Sequence, residues 1–276
     1  MKQMDISTIN GLNPSPIMPV LFVGHGSPMN AIEENEFTTT WRNLGETLPR
    51  PQAILCVSAH WETRGTHLTA MPEPKTIHDF GGFPRELFEV QYPAPGDPQL
   101  ASDVRQNIKN TQVGLDRSEW GFDHGAWTVV KHLYPQADVP MIEMSIDHFQ
   151  KPEYHYELAR ELAFLRSRGV LVVGSGNIVH NLREVNWHDE NAAYDWAQET
   201  NEKVKQAIID NNHKDLIDFK NQGVAFQRAI STAEHYIPLL YALGLQTKSD
   251  TISFFNDKII MGSLSMMGVL ISPERS

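Results

Sequence analysis

Cysteine is almost absent from this sequence, which holds one thiol, Cys56, among 276 residues. A single cysteine excludes an internal disulfide and suits a reducing compartment. Long apolar runs are missing too: no stretch reaches the length of a membrane span, and the first 16 residues contain no hydrophobic signal core. Together these absences predict a cytoplasmic protein that has no membrane partner.

Basic residues are also scarce. Lys and Arg number 23 against 34 Asp and Glu, which gives a formal net charge of −11. An acidic surface repels the phosphates of nucleic acids and of anionic lipids. Neither nucleic acid nor a membrane surface is therefore an expected partner.

Several common catalytic motifs are missing as well. The stretch "GSGNIV" ends in Val179, where a dinucleotide fingerprint needs glycine or alanine, and the chain has no phosphate-binding loop with its lysine and no G-x-S-x-G elbow. Cys56 lies inside a predicted buried strand, so we expect a core residue and not a nucleophile.

What the sequence does contain is an alternation of strand-like and helix-like segments. Strand-like runs occur at 19–24, 53–59, 139–146, 170–176, 251–256 and 262–271, and helix-like stretches at 97–110, 152–168, 190–210 and 232–243. The alternation predicts an α/β fold, a layered single domain with a central, mostly parallel or mixed sheet flanked by helices. No linker-like stretch divides the chain, so the domain is expected to span 19–276, after a loose polar arm at 1–18.

Three of the 12 histidines come at the ends of predicted strands. His25 follows "VLFVG", His60 follows "CVSA", and His180 comes one turn after "VVGSG". A lone histidine there is more often structural than a ligand, but ligands of open α/β sheets bind beyond the carboxyl ends of the strands. Three imidazoles at that edge are expected to converge, and neutral imidazoles suit Zn, Fe, Cu or Ni. The sequence therefore predicts a metal site.

Two more histidines are candidates for the same site. His235 lies near the start of the apolar stretch "YIPLLYALG", and His124 stands beside a glycine in "GFDHGAW". A set of histidines without a carboxylate leaves other classes of protein open. One is a zinc hydrolase with an activated water, and another is a non-catalytic metal-binding protein.

Eight short motifs together carry a family resemblance. In chain order they read "GHGSPMN", "SAHWETRGT", "TIHDFGGFP", "YPAPGDP", "WGFDHGAW", "GSGNIVHNL", "EHYIPLLYALG" and "GSLSMMGV". Over residues 19–270 the sequence resembles the class III extradiol ring-cleavage dioxygenases, and within them the 4,5-DOPA dioxygenase branch. The resemblance implies a single α/β catalytic domain.

The resemblance also implies a metal-binding set. His25 and His60 match the two metal-binding imidazoles of the family. The wider family adds a glutamate, whereas the DOPA-like branch places a histidine there, here His235 next to Glu234. Zinc can occupy an all-histidine site with His180 as a fourth ligand. Zn(II) is thus expected in the isolated protein and Fe(II) during turnover.

Catalytic and substrate-binding roles follow in the same way. His180 matches the general acid/base of better-known members, and His124 matches a histidine that contacts the substrate or bound oxygen. His78 lies in the Pro- and Gly-rich segment 71–97, which we expect to form a lid, and is a further substrate-contact candidate. The implied reaction opens the ring of a small catechol with O2, such as the 4,5-cleavage of L-DOPA to seco-DOPA.

Overall fold

A mixed sheet of eight strands forms the centre of the protein. The computed structural model describes residues 11–274. The strands of the described residues are β1 (Val20–Gly24), β2 (Ala53–Thr63), β3 (Thr66–Thr69), β4 (Lys75–Thr76), β5 (Val113–Asp116), β6 (Gly121–Phe122), β7 (Met141–Asp147), β8 (Val170–Gly176), β9 (Asp250–Phe255), β10 (Ile259–Ile260), β11 (Leu264–Ser265) and β12 (Gly268–Pro273). Two separate pairs, β4 with β6 and β10 with β11, lie outside the eight-stranded sheet. The strand order is β5-β3-β7-β2-β8-β1-β12-β9. The predicted α/β class is confirmed.

The parallel part of the sheet is its middle. Strands β7, β2, β8 and β1 run parallel to one another. Strand β12 pairs antiparallel with both β1 and β9, and β3 pairs antiparallel with β7. Both faces of this middle part are buried, which explains the continuous apolar runs of the sequence. On β1, Val20 and Phe22 face one core, and Leu21 and Val23 face the other.

Helices cover both faces of the sheet. They are α1 (Glu36–Thr47), α2 (Arg85–Phe88), α3 (Pro98–Asn107), α4 (His124–Leu133), α5 (Pro152–Glu161), α6 (Asp195–Ile209), α7 (His213–Ile217), α8 (Val224–Ala229) and α9 (Ile237–Gly244). The four predicted helices correspond to α3, α5, α6 and α9, with the second predicted helix continuing after α5 as a 3₁₀ turn. Apolar side chains of α5 and α9 fill one core, and those of α1 and α4 fill the other.

The predicted arm and lid both contact the body of the protein. The backbone N–H of Met18 donates to the carbonyl of Arg166, and the Met18 side chain is buried, so the end of the predicted arm is packed. Residues 1–10 of that arm lie outside the described residues. In segment 71–97, β4 pairs with β6, and Leu87 and Tyr92 are buried. Within the described part of the chain, none of the helices has the length and apolarity to cross a membrane.

Candidate metal centre

Neighbouring parallel strands bring the predicted histidines to one edge of the sheet. Strand β8 lies between β2 and β1, so their carboxyl ends are adjacent. His25 directly follows β1, and His180 follows β8 by four residues. Strand β2 ends at Thr63, whereas the predicted strand ends at residue 59, so His60 lies inside β2 and not after it.

A close backbone approach adds His235 to this edge. The N–H of Asn177, just after β8, donates to the carbonyl of His235 at 2.9 Å. A Cβ atom on Gly176 would come within 2.1 Å of the same carbonyl oxygen, so only glycine leaves room for this contact. The turn before α9 is thereby held against the end of β8.

Three of the imidazoles present nitrogen atoms to a common point. The Nε2 atoms of His25 and His60 lie 3.2 Å apart. The ligand atoms of His25, His60 and His235 all lie within 4.8 Å of one another. Imidazole nitrogens bind Zn²⁺ at about 2.0–2.1 Å, which places neighbouring ligand atoms roughly 3–4 Å apart. The spacing of the three nitrogens fits a single metal ion.

The second nitrogen of each ring has its own partner. The hydroxyl of Ser175 donates to the carbonyl of Gly125 at 2.5 Å and lies 3.0 Å from Nδ1 of His25. Because the hydroxyl proton is already used, Nδ1 of His25 is the donor and its Nε2 carries the lone pair. Nδ1 of His60 lies 3.3 Å from Asp79, and Nδ1 of His235 donates to Glu234 at 3.1 Å. Such partners are typical around metal-binding histidines.

This tautomer assignment explains why a cation belongs in the site. If His25 and His60 are both protonated on Nδ1, their Nε2 lone pairs face each other across 3.2 Å. Two acceptors that close repel each other unless a positive charge lies beside both. The donor set therefore fits a metal ion that imidazoles bind.

The imidazoles are neutral at physiological pH. Burial, reinforced by the neighbouring histidines, holds the pKa of His25 and that of His235 well below the ordinary value. Burial likewise lowers the pKa of His60 and that of His180 to about 4. A neutral imidazole is the form that binds a metal or accepts a proton.

His180 stands beside the three convergent rings in a different orientation. Its ring stacks on His235 with centroids 3.5 Å apart and planes 9° from parallel. A metal bound by an imidazole lies close to the plane of that ring, so it cannot lie in two parallel planes separated by this distance. The stack favours three histidine ligands with His180 next to them, over four ligands.

His124 and the lid segment form the other wall of the site. His124 is the first residue of α4, and its Nδ1 lies 3.0 Å from Oδ1 of Asp79. The ring of His124 lies 3.9 Å from that of His60, and Phe80 of the lid segment packs edge-on against it at 5.5 Å. Among the described residues, His78 contacts the carbonyl of Val90, at 2.9 Å from its Nε2, and the rings of Phe80, Phe88 and Trp127. Its contact with substrate stays a prediction.

Asp79 is a site residue that sequence reasoning missed. Its Oδ2 faces Nδ1 of His60, and its Oδ1 accepts hydrogen bonds from Nδ1 and the backbone N–H of His124. The signal was present in "TIHDFGGFP", one position after His78. The motif places His78 and Asp79 side by side and does not show that Asp79 is the one that contacts His60 and His124.

Asp79→Asn is expected to lower metal affinity or turnover by about 10–100-fold, the usual effect of removing such a partner. An amide has one acceptor oxygen, so it cannot serve both His60 and His124. Metal titration and steady-state kinetics check this, with the exposed Glu73→Gln of the same segment as the control. Wild-type metal affinity and kcat in Asp79→Asn would contradict the orienting role.

Metal-free protein is expected to lose stability as the pH falls from about 7 to 5. Histidines of the unfolded chain take up protons near pH 6.5, whereas His60 and His180 in the folded protein do so only near pH 4. Because the unfolded state binds more protons between these pH values, the free energy of unfolding falls as the pH is lowered. The melting temperature, measured at several pH values between 7 and 5, tests this prediction. Carboxyl groups with ordinary pKa values titrate below this pH range. Buried His155 contributes in the same direction. A melting temperature that stays constant from pH 7 to 5 would show that these pKa values are not depressed.

The fold combines a mixed α/β sheet with an imidazole-rich site at the carboxyl ends of its parallel strands. Residues 16–263 match the family described as the catalytic LigB subunit of aromatic ring-opening dioxygenase. The chain belongs to this family and is an aromatic ring-opening dioxygenase of the extradiol class. Catechols and O2 are the substrates that the family implies.

Individual relatives support the same assignment. The chain is 49% identical over 259 residues to the 4,5-DOPA dioxygenase extradiol of Escherichia coli, covering 92% of this chain and 94% of that protein. It is 32% identical over 235 residues to the 4,5-DOPA dioxygenase extradiol of Beta vulgaris, covering 83% and 87%. The crystal structure of an uncharacterized protein from Escherichia coli matches with a TM-score of 0.82 and 44% identity, covering 92% of this chain and 100% of that one.

Proposed function

We propose that this protein is a metal-dependent extradiol dioxygenase that opens the ring of L-DOPA, or of a close analogue, by 4,5-cleavage to seco-DOPA. The observation that carries the proposal is the convergence of His25, His60 and His235, with ring nitrogens within 4.8 Å of one another. The names of the relatives from Escherichia coli and Beta vulgaris support L-DOPA as the substrate.

Fe(II) is the metal proposed for turnover and Zn(II) for the protein as isolated. When bound, Fe(II) supplies open coordination positions for both catechol oxygens and O2, which brings the two reactants together. Zn²⁺ generally binds imidazole sites more tightly than Fe²⁺ does, so aerobic purification is expected to yield mainly zinc.

The proposed general base is His180. Its pKa of about 4 keeps the ring neutral at pH 7, so it can accept a catechol hydroxyl proton and return it later. Among the described residues, no protein group hydrogen-bonds the ring nitrogens of His180, which leaves both nitrogens available to a bound molecule. On the opposite wall, His124 donates Nδ1–H to Asp79 and offers Nε2 to the substrate or to oxygen.

Two carboxylates beside the histidines support a substrate that bears an ammonium group. Glu234 contacts His235, and Glu62 lies two residues after His60 on β2. Partial burial and the negative charge of Glu234 raise the pKa of Glu62, so the two carboxylates repel each other electrostatically. The ammonium group of L-DOPA would relieve this repulsion, whereas a catechol that carries only a carboxylate would increase it.

The test compares metals in one preparation. Metal is removed, the apoprotein is reloaded anaerobically with Fe(II) or with Zn(II), and L-DOPA and air are then added. The proposal expects oxygen consumption and a yellow product with Fe(II) only. Strong ring cleavage by a rigorously iron-free zinc protein would overturn the iron assignment. Ester or amide hydrolysis by the zinc form without oxygen uptake would favour a zinc hydrolase.

A further inference from the structure

Two carboxyl groups lie together in the core beneath the histidines, and the proposed chemistry uses neither. Glu143 belongs to β7, beside Cys56 of β2, and Asp123 is the N-cap residue of α4. Both side chains are completely buried, with 0% of their surface exposed. Burying two carboxylates side by side is costly unless one of them is neutral.

Among the described residues, the hydrogen-bond partners of the Glu143 carboxyl group carry no positive charge. Its Oε1 lies 3.3 Å from the indole N–H of Trp120, and its Oε2 lies 3.3 Å from the backbone N–H of Asp123. Burial and the negative charge of Asp123 raise the pKa of Glu143 well above its usual value. Both effects favour the protonated, neutral form of the glutamic acid.

The contacts of Asp123 show where that proton points. Its Oδ1 accepts hydrogen bonds from Ser58 Oγ at 2.6 Å and from the backbone N–H of Ala126 at 3.1 Å. Its Oδ2 is buried and has no other partner among residues 11–274, while the carboxyl of Glu143 is within hydrogen-bonding reach of this side chain. A neutral Glu143 that donates to Oδ2 satisfies both groups.

We infer that Glu143 is a positioning residue: as a neutral carboxylic acid it donates a hydrogen bond to Asp123 and thereby fixes His60 and His124. The inference rests on the proposed roles of these two histidines. Ser58 connects Asp123 to His60, because Ser58 Oγ donates to Asp123 and accepts the backbone N–H of His60 at 3.3 Å. Asp123 also caps α4, whose first residue is His124.

Tight packing transmits any displacement of Asp123. A Cβ atom on Gly125, the second residue of α4, would come within 2.5 Å of Ser58 Oγ and 2.8 Å of the His60 ring. The start of α4 therefore packs directly against Ser58 and His60. If Oδ2 of Asp123 loses its donor, the buried carboxylate must move toward another one, and the helix start moves with it.

The test compares Glu143→Gln with Glu143→Met. Glutamine is neutral and its amide can donate to Oδ2, so Zn(II) affinity and the kcat of the iron form are expected to stay within about threefold of wild type. Methionine has a similar size but no donor, and both quantities are expected to fall by about 10–100-fold. Met144→Ala, on the opposite face of β7, is the control for loss of core packing and is expected to change stability without changing either quantity.

Infrared spectroscopy tests the protonated state directly. Zinc-loaded wild-type protein at pH 7 is expected to show the carbonyl stretch of a buried carboxylic acid, shifted in D2O and absent from Glu143→Gln. A wild-type spectrum without this band, or a glutamine variant as impaired as the methionine variant, would overturn the inference. The infrared band and the zinc affinities are measured without ring cleavage. If Fe(II) protein fails to cleave L-DOPA while the band and the zinc affinities behave as expected, the proposed function falls and the positioning role stands. Should Glu143→Met fail to fold, the band and Glu143→Gln still decide the question.

Discussion

His235→Ala is expected to abolish tight metal binding and ring cleavage together. The substitution removes one of three neutral imidazoles whose nitrogens lie within 4.8 Å of one another, and the remaining pair, His25 and His60, cannot hold Fe(II) tightly. Elemental analysis after dialysis is expected to show metal far below one atom per chain, with turnover reduced to background. His25→Ala and His60→Ala are expected to behave alike, with unchanged circular dichroism, because these side chains lie at the edge of the sheet.

The neighbouring carboxylate provides the comparison. Glu234 accepts hydrogen bonds from Nδ1 of His235 and from the hydroxyl of Thr232, as expected of a group that orients a ligand. Glu234→Gln is therefore expected to weaken metal binding by about 10–100-fold without abolishing it. The exposed His188→Ala controls for nonspecific loss of an imidazole. Full metal content in His235→Ala, with complete loss in Glu234→Gln, would transfer the ligand role to the glutamate.

Local sequence patterns were sufficient for most of the sheet. Runs of Val, Ile and Leu marked β1, β2, β7 and β8 because these strands are buried on both faces. The apolar run at 262–271 predicts one strand, whereas the structure divides it into β11 and β12. Such a break depends on which neighbour each half pairs with, and a sequence pattern does not contain that information.

Five helices of the described residues were not predicted, the short α2, α7 and α8 and the longer α1 and α4, and for the two longer ones the reason is physical. Helix α4 is buried almost all round, so it has no polar stripe to mark it, and α1 has few apolar residues. Their start signals were nevertheless in the sequence: Asp123 caps α4, and Asn35 and Thr38 form a capping box at α1. A search for caps, and not for apolar periodicity alone, would have found both.

The site was predictable as far as strand ends determine it. His25 and His180 follow strands whose order along the sheet makes their ends adjacent, so a general rule for parallel sheets was enough to expect convergence. Asp79 and the pair of Glu143 and Asp123 reach the site from a loop and from the core beneath it. Their positions depend on tertiary packing, which the spacing of residues in the sequence does not reveal.

His180→Ala is expected to separate proton transfer from metal binding. The His180 ring stacks on His235 with planes 9° from parallel, an arrangement that suits a neighbour of the metal and not a further ligand. The variant should therefore retain Fe(II) and still bind catechol, while kcat falls by about 10²–10⁴-fold, the usual contribution of a general acid or base. KM should change little, because proton transfer follows binding.

The measurement pairs metal analysis with kinetics on one preparation. Iron content, the absorption change when catechol is added anaerobically, and steady-state oxygen uptake are compared among wild type, His180→Ala and His235→Ala. His180→Ala without iron, together with an iron-replete His235→Ala, would reverse the two assignments. Equal metal loss in both variants would instead show that His180 is a fourth ligand, in which case the stacked rings must separate when the metal binds.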